Sequence, residues 1–154
     1  MLKKILIANR GEIAVRVIRT CREMGIKTVA IFSEVDRTSP HVLKAHEAYC
    51  VGPPPSSRSY LNIEKILEII KNTGADAVHP GYGFLSENAQ FAQQVIDAGF
   101  IWIGPKPNTI NSMGNKEIAR DLALKSNLPI CPGLKNDEIE KDSLEQKCNE
   151  IGFP

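Results

Sequence analysis

The chain has 154 residues, 42% of them hydrophobic and 24% charged, with a net charge of +1. This balance suits one globular domain and the start of another, and it excludes a general basic surface for nucleic acid or an anionic membrane. No apolar run approaches the ~20 residues of a membrane-spanning helix and the opening segment does not read as an export signal, so the cytoplasm is the expected location.

The first element is a buried strand, Lys4-Ile5-Leu6-Ile7-Ala8, followed by a turn at Asn9-Arg10-Gly11-Glu12. Ile13, Val17, Cys21 and Met24 then recur at helical spacing until Gly25. A β-branched run from Lys27 to Phe32 completes a βαβ unit, which requires a parallel sheet with a right-handed crossover. After a loop from Ser33 to Ser39, Ser39 and Pro40 read as the N-cap and first residue of a short helix through His46. Tyr49-Cys50-Val51 is the third strand, and Pro53 to Ser57 is a stiff surface loop. Ile63, Ile66, Leu67 and Ile70 mark a helix that Asn72 to Gly74 ends. Ala75 to Val78 is the fourth strand. It runs into His79-Pro80-Gly81-Tyr82-Gly83-Phe84-Leu85-Ser86-Glu87-Asn88, with Ser86 as the expected N-cap of a helix through Phe91, Val95 and Ala98. Phe100 to Ile103 is the fifth strand. Helices are expected over 108–113 and 115–125, breaks at Pro129, Pro132 and Gly133, and a polar helix over 142–150. Residues 134–154 are expected to be loosely held, because a further strand is due where the chain stops.

Strands alternating with helices give an α/β class: a doubly wound parallel sheet. In such sheets ligands sit where strands end and helices begin. That singles out 79–88, where Tyr82 has a glycine on each side. Taken alone, the loop is either a ligand site with an aromatic face or a Gly-rich connection with Tyr82 packed into it. The first strand–turn–helix lacks the three glycines of a dinucleotide fingerprint, and there is no phosphate-binding G-x-x-x-x-G-K-[ST] sequence. Glu34 and Asp36 are therefore read as loop carboxylates. Cys21, Cys50, Cys131 and Cys148 form no C-x-x-C pair and have no histidine at zinc spacing, so reduced thiols are expected. Arg16, Arg19 and Glu23 share one helix face, with an Arg19–Glu23 pair worth about 0.3 kcal/mol.

Several stretches together are more specific. Ile7-Ala8-Asn9-Arg10-Gly11-Glu12-Ile13-Ala14, Ser59-Tyr60-Leu61, His79 to Asn88, Ile103-Gly104-Pro105 and Met113-Gly114-Asn115-Lys116 resemble the N-terminal part of biotin carboxylase, the ATP-dependent component of acetyl-CoA, pyruvate and related biotin-dependent carboxylases. The resemblance covers essentially the whole chain. One departure is Ala45-His46-Glu47, where the family commonly has Asp in the middle; His46 is read as a surface change. The resemblance implies a Rossmann-like pre-ATP-grasp domain over 1–114 and the truncated beginning of an ATP-grasp domain over 115–154. It implies ATP, Mg2+ and biotin as cofactors, with a biotin carboxyl carrier protein, a carboxyltransferase component and a second copy of the chain as partners. Lys116 matches a lysine that contacts ATP phosphate. Tyr82 and Gly83 match positions at the biotin end of the site. Arg16, Arg19 and Glu23 match positions of the homodimer contact. His79, Asn9, Arg10 and Glu12 are read as structural.

The resemblance also places the second ATP lysine, the Gly-rich lid, the magnesium carboxylates and the bicarbonate-site residues downstream of Pro154. No catalytic or metal-binding residue is therefore expected within the chain, and the 154-residue piece is expected to be inactive alone. Two other functions are compatible with the residues: another ATP-grasp carbon–nitrogen ligase, and a non-enzymatic dimerisation or nucleotide-binding module.

Overall fold

The three central apolar runs, Lys4–Ile7, Lys27–Ser33 and Ala77–His79, are buried on both faces, which requires helices above and below a parallel sheet, whereas the edge runs Glu47–Gly52 and Ile101–Trp102 are partly exposed. In the computed structural model, which describes residues 2–131 and 144–152, the strands are β1 (Lys4–Ile7), β2 (Lys27–Ser33), β3 (Glu47–Gly52), β4 (Ala77–His79) and β5 (Ile101–Trp102). Their order is β3-β2-β1-β4-β5, all parallel. The helices are α1 (Gly11–Glu23), α2 (Pro40–Lys44), α3 (Ile63–Thr73), α4 (Ala89–Asp97), α5 (Pro107–Gly114), α6 (Lys116–Lys125) and α7 (Leu144–Ile151). The expected doubly wound α/β sheet is thus present. The chain leaves β1 for β2 and β3 on one side, then returns to place β4 on β1's other edge. The point where the order reverses lies between β1 and β4, as in folds that bind ligands at that crevice.

The two-residue period of β1 divides the core. Ile5 and Ile7 join Ala14, Ile18 and Cys21 of α1 on one face. Leu6 and Ala8 face the other way, into a larger cluster with Ile66, Ile69 and Ile70 of α3 and Phe91, Ala92 and Val95 of α4. Cys21 behaves as a small hydrophobe: it is buried, and burial pushes its thiol up.

The chain falls into two compact units, Met1–Asn111 and Ser112–Pro154. In the second unit, Asn115 caps α6: its Oδ1 accepts from the amides of Glu117 at 3.0 Å and Ile118 at 3.1 Å. Arg120 donates to the Cys131 carbonyl at 2.7 Å. No residue of α6 or α7 is buried. The breaks expected at Pro132 and Gly133 and the first residues of the helix expected from Asp142 lie outside the described residues, as does much of the segment expected to be loosely held. No described helix is long and apolar enough to cross a membrane.

Several boundaries differ from expectation: β3 spans Glu47–Gly52 rather than 49–51, β4 Ala77–His79 rather than 75–78, and β5 only Ile101–Trp102. Two further differences have a local cause. α2 ends at Lys44, because Ala45 takes an extended conformation and the chain enters β3 at Glu47. Ser86 is not the N-cap of α4: residues Phe84–Glu87 form one 3-10 turn, and Asn88 caps instead, its Oδ1 accepting from the Phe91 amide at 2.8 Å.

Candidate functional site

The site begins with Asn9, the residue that follows β1 and its last backbone bond to β4. Asn9 is 1% exposed. Its Nδ2 donates to the carbonyls of Pro80 at 2.9 Å and Tyr82 at 2.8 Å, and its Oδ1 accepts from the Arg10 amide at 2.9 Å. One buried amide thereby fastens the loop after β4 to the loop after β1, at the point where strand order reverses. A carboxamide suits this position because it supplies two donors and an acceptor without charge. Gly81 is required beside it. Its φ is +67°, and a Cβ there would lie 2.6–2.8 Å from the Asn9 side chain.

This fastening presents Tyr82 outward, 71% exposed, with Gly83 also exposed beside it. His79 lies at the base of the loop. Its Nδ1 accepts from the Gly81 amide at 3.0 Å, which places the ring proton on Nε2, and burial holds its pKa below the usual histidine value. Asn9 and His79 thus both make the hydrogen bonds within the fold that their structural reading expects.

Tyr82 and His79 border a groove of about 610 Å³ between α1 and the sheet, whose apolar wall includes Ile13, Val17 and Ile103. Arg16 also lines this groove, whereas Arg19 and Glu23 do not. Arg19 and Glu23 form an exposed pair at 3.9 Å, where solvent leaves little net stabilisation. Lys116 is exposed at the first position of α6, in the second unit. Among the described residues no group of three or more His, Cys, Asp or Glu side chains could hold a metal ion.

A second polar cluster escaped the sequence reading. Asp36, by sequence an ordinary loop carboxylate, is its hub. The Tyr60 hydroxyl donates to Asp36 Oδ2 at 2.6 Å and accepts from the Ser33 amide at 3.0 Å. Ser33 Oγ donates to the same carboxylate oxygen at 2.9 Å, and the Arg10 guanidinium stands 3.5 Å from it. Burial pushes the Asp36 carboxyl up, but the Tyr60 and Ser33 hydrogen bonds and the Arg10 charge outweigh it and hold it below the usual carboxylate range. Burial, then the bond to Asp36, pushes the Tyr60 hydroxyl up to about 12. The partners lie 24 residues apart, so no local spacing marked them. The one signal in the sequence is Ser59-Tyr60-Leu61, a stretch that carries the family resemblance. His46, read as a surface change, is exposed, though its Nδ1 also accepts from the Thr28 amide at 3.1 Å.

A parallel sheet of this order, with a fastened aromatic loop at its reversal point, defines the first unit as a doubly wound α/β domain with its candidate site at the strand ends. The family model described as "Biotin carboxylase, N-terminal domain" matches residues 1–110, and the chain belongs to that family. Biotin carboxylase 1 of Bacillus subtilis is 49% identical over 154 residues, which is 100% of this chain and 34% of the relative. The mitochondrial propionyl-CoA carboxylase alpha chain of Homo sapiens is 54% identical over 153 residues, 98% of this chain and 21% of the relative. Among solved structures, the biotin carboxylase domain dimer of the Hydrogenobacter thermophilus 2-oxoglutarate carboxylase, in complex with MgADP, ADP and bicarbonate, has a TM-score of 0.88 at 44% identity. It covers 100% of this chain and 34% of that one. The chain thus spans about a third of the length of the biotin carboxylases it matches.

Proposed function

We propose that the chain is the N-terminal portion of a biotin carboxylase, an ATP-dependent ligase that carboxylates carrier-bound biotin. In the whole protein, bicarbonate attacks the γ-phosphate of ATP to give carboxyphosphate and ADP. Carbon dioxide released from that intermediate passes to the ureido nitrogen of biotin. The observation that carries this reading is the exposed Tyr82–Gly83 pair, held at the strand-order reversal by Asn9. A flat aromatic face beside a glycine suits a flat ureido ring. Lys116, exposed at the start of α6, supplies a point charge for an ATP phosphate oxygen. No step through magnesium is assigned to this chain, whose described residues offer no cluster of metal-type donors.

The domain reading is 1–114 for the N-terminal domain and 115–154 for the start of the ATP-grasp domain. The division into compact units at Asn111 and Ser112 supports it. Arg16, Arg19 and Glu23 form part of a homodimer contact; the dimer named for the 2-oxoglutarate carboxylase relative supports this, and a contact so charged weakens with salt. The partners are a biotin carboxyl carrier protein or domain and a carboxyltransferase component, in the cytoplasm.

The test is ADP release with biotin, bicarbonate and MgATP, measured on this chain and on a version extended to the length of its relatives. Activity in the extended version alone is the expected result. Bicarbonate-dependent ADP release by the 154-residue chain contradicts the assignment of the chemistry to downstream residues.

A further inference from the structure

The loop that bears Tyr82 is fastened on one side by Asn9, but that anchor stops at the Tyr82 carbonyl. The next two residues turn back sharply: Gly83 has φ +64° and Phe84 φ +47°. A phenylalanine in left-handed backbone is a strained conformation that persists only where its surroundings over-determine it. The surroundings here are a ring. Phe84 stacks on Tyr60, with centroids 5.2 Å apart and planes 21° from parallel. Tyr60 is itself 2% exposed, and its hydroxyl is clamped between the Asp36 carboxylate and the Ser33 amide. Arg10 lies across the same ring, 5.8 Å from its centroid, while standing 3.5 Å from Asp36. A continuous chain of contacts thus runs from the end of β2, through Asp36 and Tyr60, to Phe84 and the back of the Tyr82–Gly83 turn.

We infer that Tyr60 and Asp36 are positioning residues for the candidate biotin loop, acting through the Phe84 ring. The inference rests on the reading of Tyr82 and Gly83 as the biotin end of the site. Asn9 fixes the near side of the turn and sets where Tyr82 starts. The Asp36–Tyr60–Phe84 column fixes the far side and sets how the Tyr82 ring is aimed. The clamp is specific in what it demands of Tyr60: a phenylalanine there keeps the stacked ring but loses the hydroxyl that locates it. It also strands the buried Ser33 amide.

The experiment is a double-mutant cycle on this chain, read by amide hydrogen exchange. The probes are the Ser86 amide, bonded to the Gly83 carbonyl at 2.9 Å, and the Asn88 amide, bonded to the Leu85 carbonyl at 3.1 Å. The β1 amides report global opening. Tyr60→Phe is expected to speed exchange at Ser86 and Asn88 about tenfold beyond any change in β1. In a Phe84→Ala background the same substitution is expected to add nothing, because the connecting ring is gone. In the extended version, Tyr60→Phe is expected to raise the KM for biotin about threefold or more, with the KM for ATP unchanged. Loop exchange that follows β1 in proportion, equal acceleration in both backgrounds, or equal changes in the two KM values would each overturn the inference. The exchange cycle needs no biotin. Its failure therefore falls on the positioning column, whereas absence of biotin-dependent ADP release falls on the reading of the site.

Discussion

Gly81→Ala tests the fastening at the strand-order reversal most severely, because two independent costs coincide there. The backbone is left-handed, φ +67°, which costs an L-residue about 1 kcal/mol. The new Cβ would stand 2.6 Å from Asn9 Nδ2, 2.7 Å from its Cγ and 2.8 Å from its Cβ. Asn9 is 1% exposed and cannot swing into solvent. Relieving the clash requires breaking its bonds to the Pro80 and Tyr82 carbonyls, each worth about 1 kcal/mol, or displacing the loop at a similar cost. The expected loss is about 3 kcal/mol. Gly74→Ala is the matched control. Gly74 has φ +63° and nothing within 4 Å of a built Cβ, so it bears the backbone cost alone, about 1 kcal/mol. The assay is urea unfolding followed by fluorescence of Trp102, the single tryptophan, which is 9% exposed and packs edge-on against Phe91 at 5.5 Å. A difference of about 2 kcal/mol between the two variants is the predicted result. Equal losses would refute the account of Asn9 as a rigid fastener.

Two further outcomes follow from the same geometry. Tyr60, held up to about 12 in the fold, stays protonated where an unfolded tyrosine ionises near pH 10. Its contribution is therefore complete below pH 10 and is lost as pH rises towards 12, a total of about 2–3 kcal/mol. Urea titrations from about pH 8 to about pH 11 should show stability falling more steeply in the wild-type chain than in Tyr60→Phe, and parallel curves would contradict the clamp. Lys116→Gln, in the extended version, should raise the KM for ATP about tenfold without altering unfolding of the first unit, since the side chain is exposed and its proposed role is a single charge contact to phosphate. An unchanged KM for ATP would remove Lys116 from the nucleotide site.

Much of the fold was legible because each strand is short, apolar and followed by a helix of strong periodicity. The apolar run Lys4 to Ala8 and the β-branched run Lys27 to Phe32 read directly as β1 and β2, and α3 buries Ile66 and Ile70 of the face its spacing announced; α1 does so only in part, burying Ala14, Ile18 and Cys21 while Ile13 and Val17 stay half-buried and Met24 is exposed. The loop at 79–88 was legible as a candidate site by its place after a strand and by its glycines. Its geometry was not. Ser86 looks like a cap as well as Asn88 does, and only the left-handed Phe84 and the 3-10 turn it begins decide between them. Asp36 was hidden for another reason. A carboxylate in a loop is ordinarily solvated, and nothing local indicates that Tyr60 returns across the sheet end to donate to it. Partners brought together by topology leave no periodic trace in the chain, whereas faces of single elements do.

The most direct test of the central claim is the kinetic effect of Tyr82→Ala in the version extended to the relatives' length. Tyr82 is 71% exposed and its hydrogen bond to Asn9 is made by the backbone carbonyl, which alanine retains, so the fold should not register its loss. The account predicts unchanged unfolding of the first unit, an unchanged KM for ATP, and a KM for biotin raised about tenfold, the equivalent of ~1.4 kcal/mol of lost aromatic contact. A KM for biotin equal to that of the unsubstituted protein would contradict the claim that the loop at the strand-order reversal forms the biotin end of the site.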